Sequence, residues 1–243
     1  MTYCLITKVQ EGLVGLSDMM ITSGREYLTG SKLLIPTVNG NQKFFIMSSG
    51  LRSVRDKAVT YFQEIIDSEG AGFNKLYKVV NALGEQIRKV AKEDKDYLKE
   101  GGLDFDIHTL IAGQLEDDKE HTLYLLYPEG NWVEVGPNSP YYSIGNTGYG
   151  KPILDRTLQY STPMTLALKV AFLAFDATRL SSNDVNYPVD IVLYRKGSSK
   201  VVTHRYTYND LYTYSDKWKE LIAKAIVDMP DEWINTVFSK LEI

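Results

Sequence analysis

Short apolar runs and turn residues alternate through the first fifty positions, and they predict two strand pairs. Residues 2–9 and 12–17 are largely apolar and flank a turn that contains glycine, which predicts two short strands joined as a hairpin. A polar stretch from Thr22 to Ser31 predicts a loop. Residues 32–38 and 43–49 predict a second hairpin, because the Asn39-Gly40 pair between them is a strong short-range hairpin signal.

Apolar positions then recur at helical spacing, which predicts two successive helices after Gly50. The first helix carries one apolar face: Leu51, Val54, Ala58, Phe62 and Ile65. The second helix spans roughly residues 72–97, and its apolar face is Leu76, Val79, Val80, Leu83, Ile87 and Val90. The opposite face of the second helix mixes charges of both signs, which is typical of a solvated surface.

The same grouping continues to the end of the chain. Further strands are predicted at residues 105–115, 122–127, 132–135, 141–144, 188–194 and 200–206. A small helix is predicted at 151–159, followed by a long helix with Thr162 as its N-cap and Pro163 at its first position. The C-terminus is predicted to be helical from about Asn209, with a break at Pro230 and helices at 218–227 and 233–241.

Strands that come in hairpins and helices that come in pairs do not fit the regular alternation of a parallel sheet. The pattern favours an α+β fold in which two antiparallel sheets stack on each other and helix pairs cover the outer faces. This is a four-layer αββα sandwich. We found no repeat, low-complexity tract or linker, so a single domain over residues 1–243 is expected.

Composition narrows the function and the location. The chain is 44% hydrophobic and 24% charged, an ordinary globular balance, and its net charge of −4 with no basic face argues against nucleic acid as a partner. The single Cys4 excludes an internal disulfide framework and fits a reducing cytosol. Lys8 and Glu11 interrupt any signal peptide, and no run reaches the roughly 18 apolar residues of a membrane span. We therefore expect a cytoplasmic protein that does not contact membranes.

The start of the chain carries the main candidate for chemistry. Methionine aminopeptidases remove an initiator methionine when the next side chain is small, and Thr2 qualifies. The mature chain would then begin with a residue that has a hydroxyl and a free α-amine. The amine can take the hydroxyl proton and so activate the nucleophile. Its unperturbed pKa of about 7.7–8.0 leaves much of it neutral near physiological pH.

Two charged residues are predicted to lie beside that terminus. If the first two strands pair, Asp18 at the end of the second strand lies next to the start of the first. Lys32 begins the next predicted strand and can reach the same edge. A lysine ammonium near the terminal amine would lower the pKa of that amine, since like charges disfavour its protonated form. Asp18 would hold Lys32 in place and keep it charged.

Several segments resemble a proteasome β-subunit: Thr2, the strand pair ending at Asp18, Thr22-Ser23-Gly24, Ser31-Lys32 and Ser48-Ser49-Gly50. Three segments are similar to the Anbu family, the bacterial ancestral β-subunits or proteasome-type proteases: Met1-Thr2-Tyr3-Cys4, residues 127–132 and residues 144–156. The run Gly150-Lys151-Pro152-Ile153-Leu154-Asp155-Arg156 is the most specific part, because no general packing rule demands it.

The resemblance implies an N-terminal nucleophile hydrolase with the four-layer fold. It assigns Thr2 as the nucleophile and the α-amine of Thr2 as the general base. Lys32 would tune that amine, with Asp18 as the partner of Lys32, and the backbone N–H of Gly50 would stabilise the oxyanion.

The chain departs from the proteasome pattern at two places. Proteasome subunits have a serine in a Gly-Ser-Gly turn near the nucleophile. The corresponding turn here is Gly145-Asn146-Thr147-Gly148, in which the hydroxyl of Thr147 replaces that of the serine only approximately. The family carries an Asp and a Ser three residues apart, and here Ser181 and Asp184 occupy about those places with the two residue types exchanged. Asp184 can still accept a hydrogen bond from the terminal amine.

Other sites lack support in the sequence. His108, His121 and His204 are far apart and do not have metal-ligand spacing, and we expect no cofactor. No Gly-x-Ser-x-Gly segment supports a serine triad. The Gly70-Ala71-Gly72 segment is not followed by the Gly-Lys-Ser/Thr of a phosphate-binding loop.

The first hypothesis is therefore a threonine-type hydrolase that cleaves amide bonds in a peptide or protein substrate. A narrow amidase or acyl-transfer enzyme for a modified peptide is the second hypothesis, and a self-assembling scaffold with a relaxed site is the third. The resemblance also implies a large homo-oligomer, an open ring or a helical assembly, in which the C-terminal helices are candidate interfaces. The sequence does not identify an unfoldase partner.

Overall fold

A computed structural model describes residues 2–23, 26–38, 40–69 and 72–241. By its internal contacts the chain divides into two compact units, Met1–Thr207 and Tyr208–Ile243. The strands, in chain order, are β1 Tyr3–Val9, β2 Gly12–Asp18, β3 Met20–Ser23, β4 Glu26–Thr29, β5 Leu33–Leu34, β6 Phe44–Gly50, β7 Ile107–Gly113, β8 Thr122–Leu126, β9 Trp132–Glu134, β10 Tyr141–Gly145, β11 Val189–Arg195 and β12 Val202–Tyr206. The helices are α1 Arg52–Glu69, α2 Leu76–Glu100, α3 Lys151–Thr157, α4 Met164–Ser181, α5 Tyr208–Val227 and α6 Glu232–Phe238.

The first unit is built on two five-stranded sheets. The first sheet has the order β10-β1-β2-β11-β12, and the second has the order β5-β6-β7-β8-β9. Every neighbouring pair in both sheets is antiparallel. The α+β class with antiparallel sheets is therefore confirmed.

The two sheets face each other across an apolar core. One side of β1 and β2 packs against alternate residues of β6, β7 and β8: the shared cluster includes Cys4, Ile6, Leu13, Phe45, Met47, Leu110 and Leu125. Gly15 of β2 leaves room for this packing, since a Cβ there would lie 2.8 Å from the Met47 side chain and 2.9 Å from the Phe45 side chain of the other sheet. Alternation along each strand thus supplies a core between the sheets.

Helices cover the outer faces of both sheets. The outward residues of β6 and β7 join the apolar stripes of α1 and α2 in a second core: it includes Phe44, Ile46, Ile111, Val54, Phe62, Val80 and Ile87. On the other sheet, α4 packs against β1 and β2, with α3 beside α4. All seven positions of both β1 and β2 are buried, because each strand is covered on its two faces.

Two predictions near the start of the chain are wrong. The polar stretch predicted as a loop forms the β3–β4 hairpin, in which Met20 pairs with Thr29 and Ile21 with Leu28. The apolar positions of these two strands, among them Ile21 and Leu28, are few and mixed with polar ones, so the sequence shows no clear strand alternation there. The strand predicted at 32–38 forms a ladder at Leu33–Leu34 and a single bridge between Val38 and Asn41. It is not continuous, because Pro36 between them has no N–H group to continue a ladder. Asn39 and Gly24 lie outside the described residues.

Two helix starts also differ from prediction. Helix α2 begins at Leu76, whose N–H donates to Asp118 Oδ2 at 2.9 Å, a contact from a distant loop. Helix α4 begins at Met164 with Pro163 as its N-cap residue. Thr162 Oγ1 instead accepts a hydrogen bond from the Gln159 N–H at 2.9 Å, which satisfies the preceding turn.

The second unit consists of two helices, α5 and α6, and Pro230 lies between them as the sequence predicts. Large apolar side chains are exposed on both helices: Leu221, Ile222, Ile226, Val227, Trp233, Val237 and Phe238. Among the residues described, no helix combines the length and the apolar character needed to cross a bilayer.

Candidate active site

Thr2 directly precedes β1, at the end of a strand that lies between β2 and β10. The residue is nearly buried. Its backbone oxygen accepts a hydrogen bond from the Asn146 N–H at 2.7 Å, which fixes the position of the peptide plane after Thr2. Met1, whose removal the sequence predicts, lies outside the described residues.

Gly145 lets the end of β10 pass close to Thr2. Gly145 has a φ of +87°, and a Cβ built there would lie 1.9 Å from the Thr2 backbone oxygen. Only glycine tolerates both the positive φ and this close approach. The turn predicted at 145–148 therefore holds the start of the chain through Gly145 and Asn146, whereas Thr147 is half-buried and lines a different cavity.

Asp18 links the ends of the first two strands. Its Oδ1 accepts a hydrogen bond from the Tyr3 N–H at 2.8 Å, and its Oδ2 accepts one from the Met20 N–H at 3.1 Å. Lys32 Nζ also donates to Asp18 Oδ1, at 2.6 Å, and to the Met20 backbone oxygen at 2.7 Å. The structure thus brings Asp18 and Lys32 together one residue from Thr2, as the strand ends suggested.

This ion pair is almost completely removed from solvent. Burial raises the pKa of Asp18 above its usual value, because a desolvated carboxylate is less stable. The charge of Lys32 and the hydrogen bonds from Lys32, Tyr3 and Met20 act in the opposite direction and favour the ionised carboxylate. A buried pair of this kind is rigid, since breaking it would leave an uncompensated charge.

Thr2, Lys32 and Gly50 line one cleft with a volume of about 590 Å³. Gly50 ends β6 with a φ of +120°, and a Cβ there would lie 2.3 Å from the Asp106 backbone oxygen. The next N–H group, that of Leu51, donates to the same oxygen at 2.7 Å. The backbone at Gly50 is therefore held in a fixed conformation at the wall of the cleft.

The other two predicted site residues come from the end of α4 and the connection that follows it. Ser181 is exposed at the C-terminal end of α4, and Asp184 is half-buried in the connection to β11. The Asp184 N–H donates to Ser182 Oγ at 3.4 Å. Neither residue is among the described residues that line the cleft, so their roles remain predictions.

Sequence reasoning missed the charged residues that share the cleft. Arg52 and Arg55 come from α1, and Asp104 and Asp106 come from the connection before β7. The arginines lie on the polar side of a helix predicted from its apolar stripe, and the acidic pair lies at the start of a predicted strand, where no motif marks it. Only the neighbourhood of Gly50, already assigned to the site, could have pointed to them.

Within the described part of the chain, no three His, Cys, Asp or Glu side chains come together as a metal site requires. Cys4 is a buried free thiol next to the site. Its Sγ lies 3.8 Å from the Ser48 backbone oxygen, so Cys4 acts as a packing residue of the inter-sheet core.

Solved structures of Anbu proteins have the same fold as this chain. A helical assembly of the Anbu complex from Pseudomonas aeruginosa is 27% identical with a TM-score of 0.87, and the match covers 94% of this chain and 97% of that one. Anbu from Yersinia bercovieri is also 27% identical, with a TM-score of 0.85 and coverage of 94% and 97%. An Anbu (Gly-1) mutant from Hyphomicrobium sp. strain MC1 is 26% identical, with a TM-score of 0.85 and coverage of 95% and 98%.

No protein-family model and no curated protein sequence matches the chain. The similarity is therefore detected by comparing structures, and it extends over nearly the full length of both chains in each comparison.

Proposed function

We propose a function from one premise: by its structural similarity, this chain belongs to the Anbu (ancestral β-subunit) family. Its fold is accordingly of the proteasome-related, N-terminal nucleophile type. We infer that the protein is a threonine-type hydrolase that cleaves amide bonds in peptides, with Thr2 as the nucleophile once Met1 is removed. The observation that carries this proposal is the cleft shared by Thr2, Lys32 and Gly50, with Asp18 buried behind Lys32.

In the acylation step, Thr2 Oγ attacks the carbonyl carbon of the scissile amide and its proton passes to the α-amine of Thr2. The tetrahedral intermediate then collapses, and the C–N bond breaks. The leaving amine departs with the proton returned by the terminal ammonium. A water molecule next attacks the ester, the α-amine takes its proton, and Thr2 Oγ is released as a hydroxyl together with the acid product.

Lys32 and Asp18 prepare the base for these steps. Lys32 places a positive charge close to the start of the chain, and that charge disfavours protonation of the α-amine. Asp18 fixes Lys32 and also accepts the Tyr3 N–H at 2.8 Å, so the same carboxylate orients the backbone that carries Thr2. Both are positioning residues in this proposal.

The Gly50 N–H is proposed as the donor to the developing oxyanion. Loss of one such donor typically costs about 2.7–4 kcal/mol of transition-state stabilisation. Asp184 is proposed as an acceptor for the terminal amine, and Ser181 as a neighbour that supports it, as the family pattern implies.

The further proposals concern assembly and location. One structural neighbour forms a helical assembly, and we propose that this chain also forms a large homo-oligomer. The exposed apolar side chains of α5 and α6 support that proposal. We propose a cytoplasmic location, which the single reduced Cys4 suits.

Intact mass spectrometry combined with a nucleophile probe tests the function. We expect the purified protein to lack Met1 and to gain the mass of an epoxyketone-type or acylating probe. Thr2→Ala keeps a small second residue, so Met1 should still be removed, but the adduct should disappear and peptide hydrolysis should fall at least about a thousandfold. Thr157→Ala, which removes an exposed threonine hydroxyl on α3, is the matched control.

Two results would reject this function. One is native protein that retains Met1, because the α-amine of Thr2 is then an amide. The other is hydrolysis that survives in Thr2→Ala, since no nucleophile would remain at that position.

A further inference from the structure

The wall that α1 contributes to the cleft carries two arginines. Arg52 and Arg55 lie in the first turn and at the start of the second turn of α1, and both line the same cleft as Thr2. The Arg55 N–H donates to the Leu51 backbone oxygen at 3.1 Å, which ties this turn to the fixed backbone after Gly50. The position of Arg55 is therefore set by the same segment that bounds the reactive end of the cleft.

One carboxylate holds both guanidinium groups. Arg55 donates from Nε at 2.9 Å and from Nη2 at 2.7 Å to Asp56 Oδ1, whereas Arg52 donates from Nε at 3.2 Å to Asp56 Oδ2. Two positive charges thus share a single negative one, and the group of three keeps a net positive charge. Within the described contacts, Arg55 Nη1 and the second N–H of Nη2 make no hydrogen bond, so the edge of the guanidinium group that they form is open to a ligand.

Arg55 is the inner charge of the pair. Its side chain is 20% exposed, compared with 58% for Arg52. Burial raises the pKa of the Cys4 thiol, and the nearby charges of Lys32 and Arg55 act against that rise. Arg55 is thus one of the charges that act on Cys4 in β1, and it lines the same cleft as Thr2.

The acidic residues of the cleft lie at its solvent side. Asp104 and Asp106 are exposed, and the Asp106 Oδ1 lies 3.1 Å from His108 Nδ1. Water screens charges in such positions more than charges inside a cleft. Lys32, the other cation of the inner wall, is already paired with Asp18. Arg55 also contacts a carboxylate, that of Asp56, but it shares this carboxylate with Arg52. Arg55 is therefore the less exposed cation of the cleft whose charge is not fully balanced by a counter-ion of its own.

From this arrangement we infer that Arg55 binds a carboxylate of the substrate, so that the cleft selects peptides with an acidic side chain on the acyl side of the scissile bond. A guanidinium group matches a carboxylate with two parallel hydrogen bonds, which adds geometric specificity to the charge. The inference rests on the proposed function, because it names the substrate class of the same cleft.

A matched peptide set tests the selection. The probes are acetylated peptides with a fluorogenic amide, which differ only in the residue before the scissile bond: Glu, Gln, Lys or Leu. For the wild-type chain we expect kcat/KM to be about tenfold higher for Glu than for Gln. Arg55→Gln should bring the Glu-to-Gln ratio close to one. Arg156→Gln, which removes an exposed arginine of α3, should keep the wild-type ratio.

A binding measurement separates this inference from the catalytic proposal. Fluorescence anisotropy with Thr2→Ala reports the affinity for labelled Glu and Gln peptides without any hydrolysis. Preferred binding of Glu by Thr2→Ala, together with no hydrolysis by the wild-type chain, would reject the nucleophile and keep the carboxylate site. Hydrolysis with equal rates for Glu and Gln, or with a preference for Lys, would overturn the carboxylate site and keep the nucleophile.

Two further outcomes are decisive for Arg55. If Thr2→Ala binds neither peptide, or if Arg55→Gln retains the Glu preference, the inference is wrong. If Arg55→Gln does not fold, the Glu-to-Gln ratio of the wild-type chain decides the question, since a ratio of one excludes carboxylate selection.

Discussion

The position of Thr2 depends on Gly145 more directly than on any side chain of the site. A Cβ at Gly145 would lie 1.9 Å from the Thr2 backbone oxygen, and the φ of +87° is one that other residues rarely adopt. The flanking Asn146 N–H holds that same oxygen at 2.7 Å. A side chain at position 145 must therefore displace either the start of the chain or the turn.

We predict that Gly145→Ala destabilises the protein by more than about 2 kcal/mol, because backbone strain and a clash with main-chain atoms add together. Chemical denaturation measures the loss, and labelling of Thr2 by the nucleophile probe should fall as well. Gly148→Ala is the control: a Cβ there has no neighbour within 4 Å. Equal stability of the two variants would contradict the prediction.

At the scale of residues, the sequence allowed those site residues to be placed that stand at the ends of predicted strands. Asp18 could be placed next to Thr2 because it ends the strand that pairs with the first strand in a hairpin. Lys32 could be placed there only as the first residue of the next predicted strand, which pairs in the other sheet. The contact between Asp18 and the Tyr3 N–H confirms this geometry. Arg55 could not be found in this way, since the direction of a polar side chain on a helix depends on what lies opposite in the folded chain.

At the scale of elements, local patterning predicted the strands and helices with strong apolar periodicity and failed where distant contacts decide. Helix α2 was recognised from its apolar stripe, but its start at Leu76 is set by Asp118. The polar residues of the β3–β4 hairpin have no such stripe, so a loop was the wrong prediction. Sequence patterns therefore miss helix ends that distant hydrogen bonds set, and short hairpins without clear apolar alternation.

His121 links an element of each sheet. It precedes β8 of the second sheet, and its Nε2 donates at 2.7 Å to the backbone oxygen of Val9, the last residue of β1 in the first sheet. Its Nδ1 is buried without a hydrogen-bond partner among the described residues. Burial lowers the pKa of His121, because a protonated ring in this place is poorly solvated and gains an unpaired donor.

We predict that stability declines as the pH falls below about 6.5, the ordinary histidine pKa. The unfolded chain then binds a proton at His121 that the folded chain resists, and the linkage relation makes the free energy of unfolding decrease. Above that pH the contribution of neutral His121 is fully present. His121→Gln can still donate to Val9 and should flatten this acid slope, as measured by denaturation at several pH values. The control is His204→Gln, which removes an exposed histidine. If His121→Gln and His204→Gln show the same acid slope, His121 is not the group responsible.

At the scale of the whole molecule, the grouping of predicted strands indicated two antiparallel sheets but not their order. In the first sheet, β2 pairs with β11 and β1 pairs with β10, so strands more than a hundred residues apart become neighbours. Alternation of apolar residues shows that a strand has a buried face, and it carries no information on which distant strand lies beside it. No linker composition marks the division of contacts at Thr207, and the single domain over residues 1–243 stays a prediction.

The C-terminal unit offers the last prediction, which concerns assembly. Trp233 and Phe238 of α6 are 71% and 61% exposed, and aromatic side chains of this size are enriched where proteins associate. If α6 forms part of the interface between copies, Trp233→Ser combined with Phe238→Ser should shift the sedimentation profile towards smaller species at equal concentration. Asn235→Ser, an exposed polar position on the same helix, should leave the profile unchanged. A wild-type chain that sediments as a monomer would reject the homo-oligomer. Large assemblies that persist in the double variant would show that α6 is not needed for the interface.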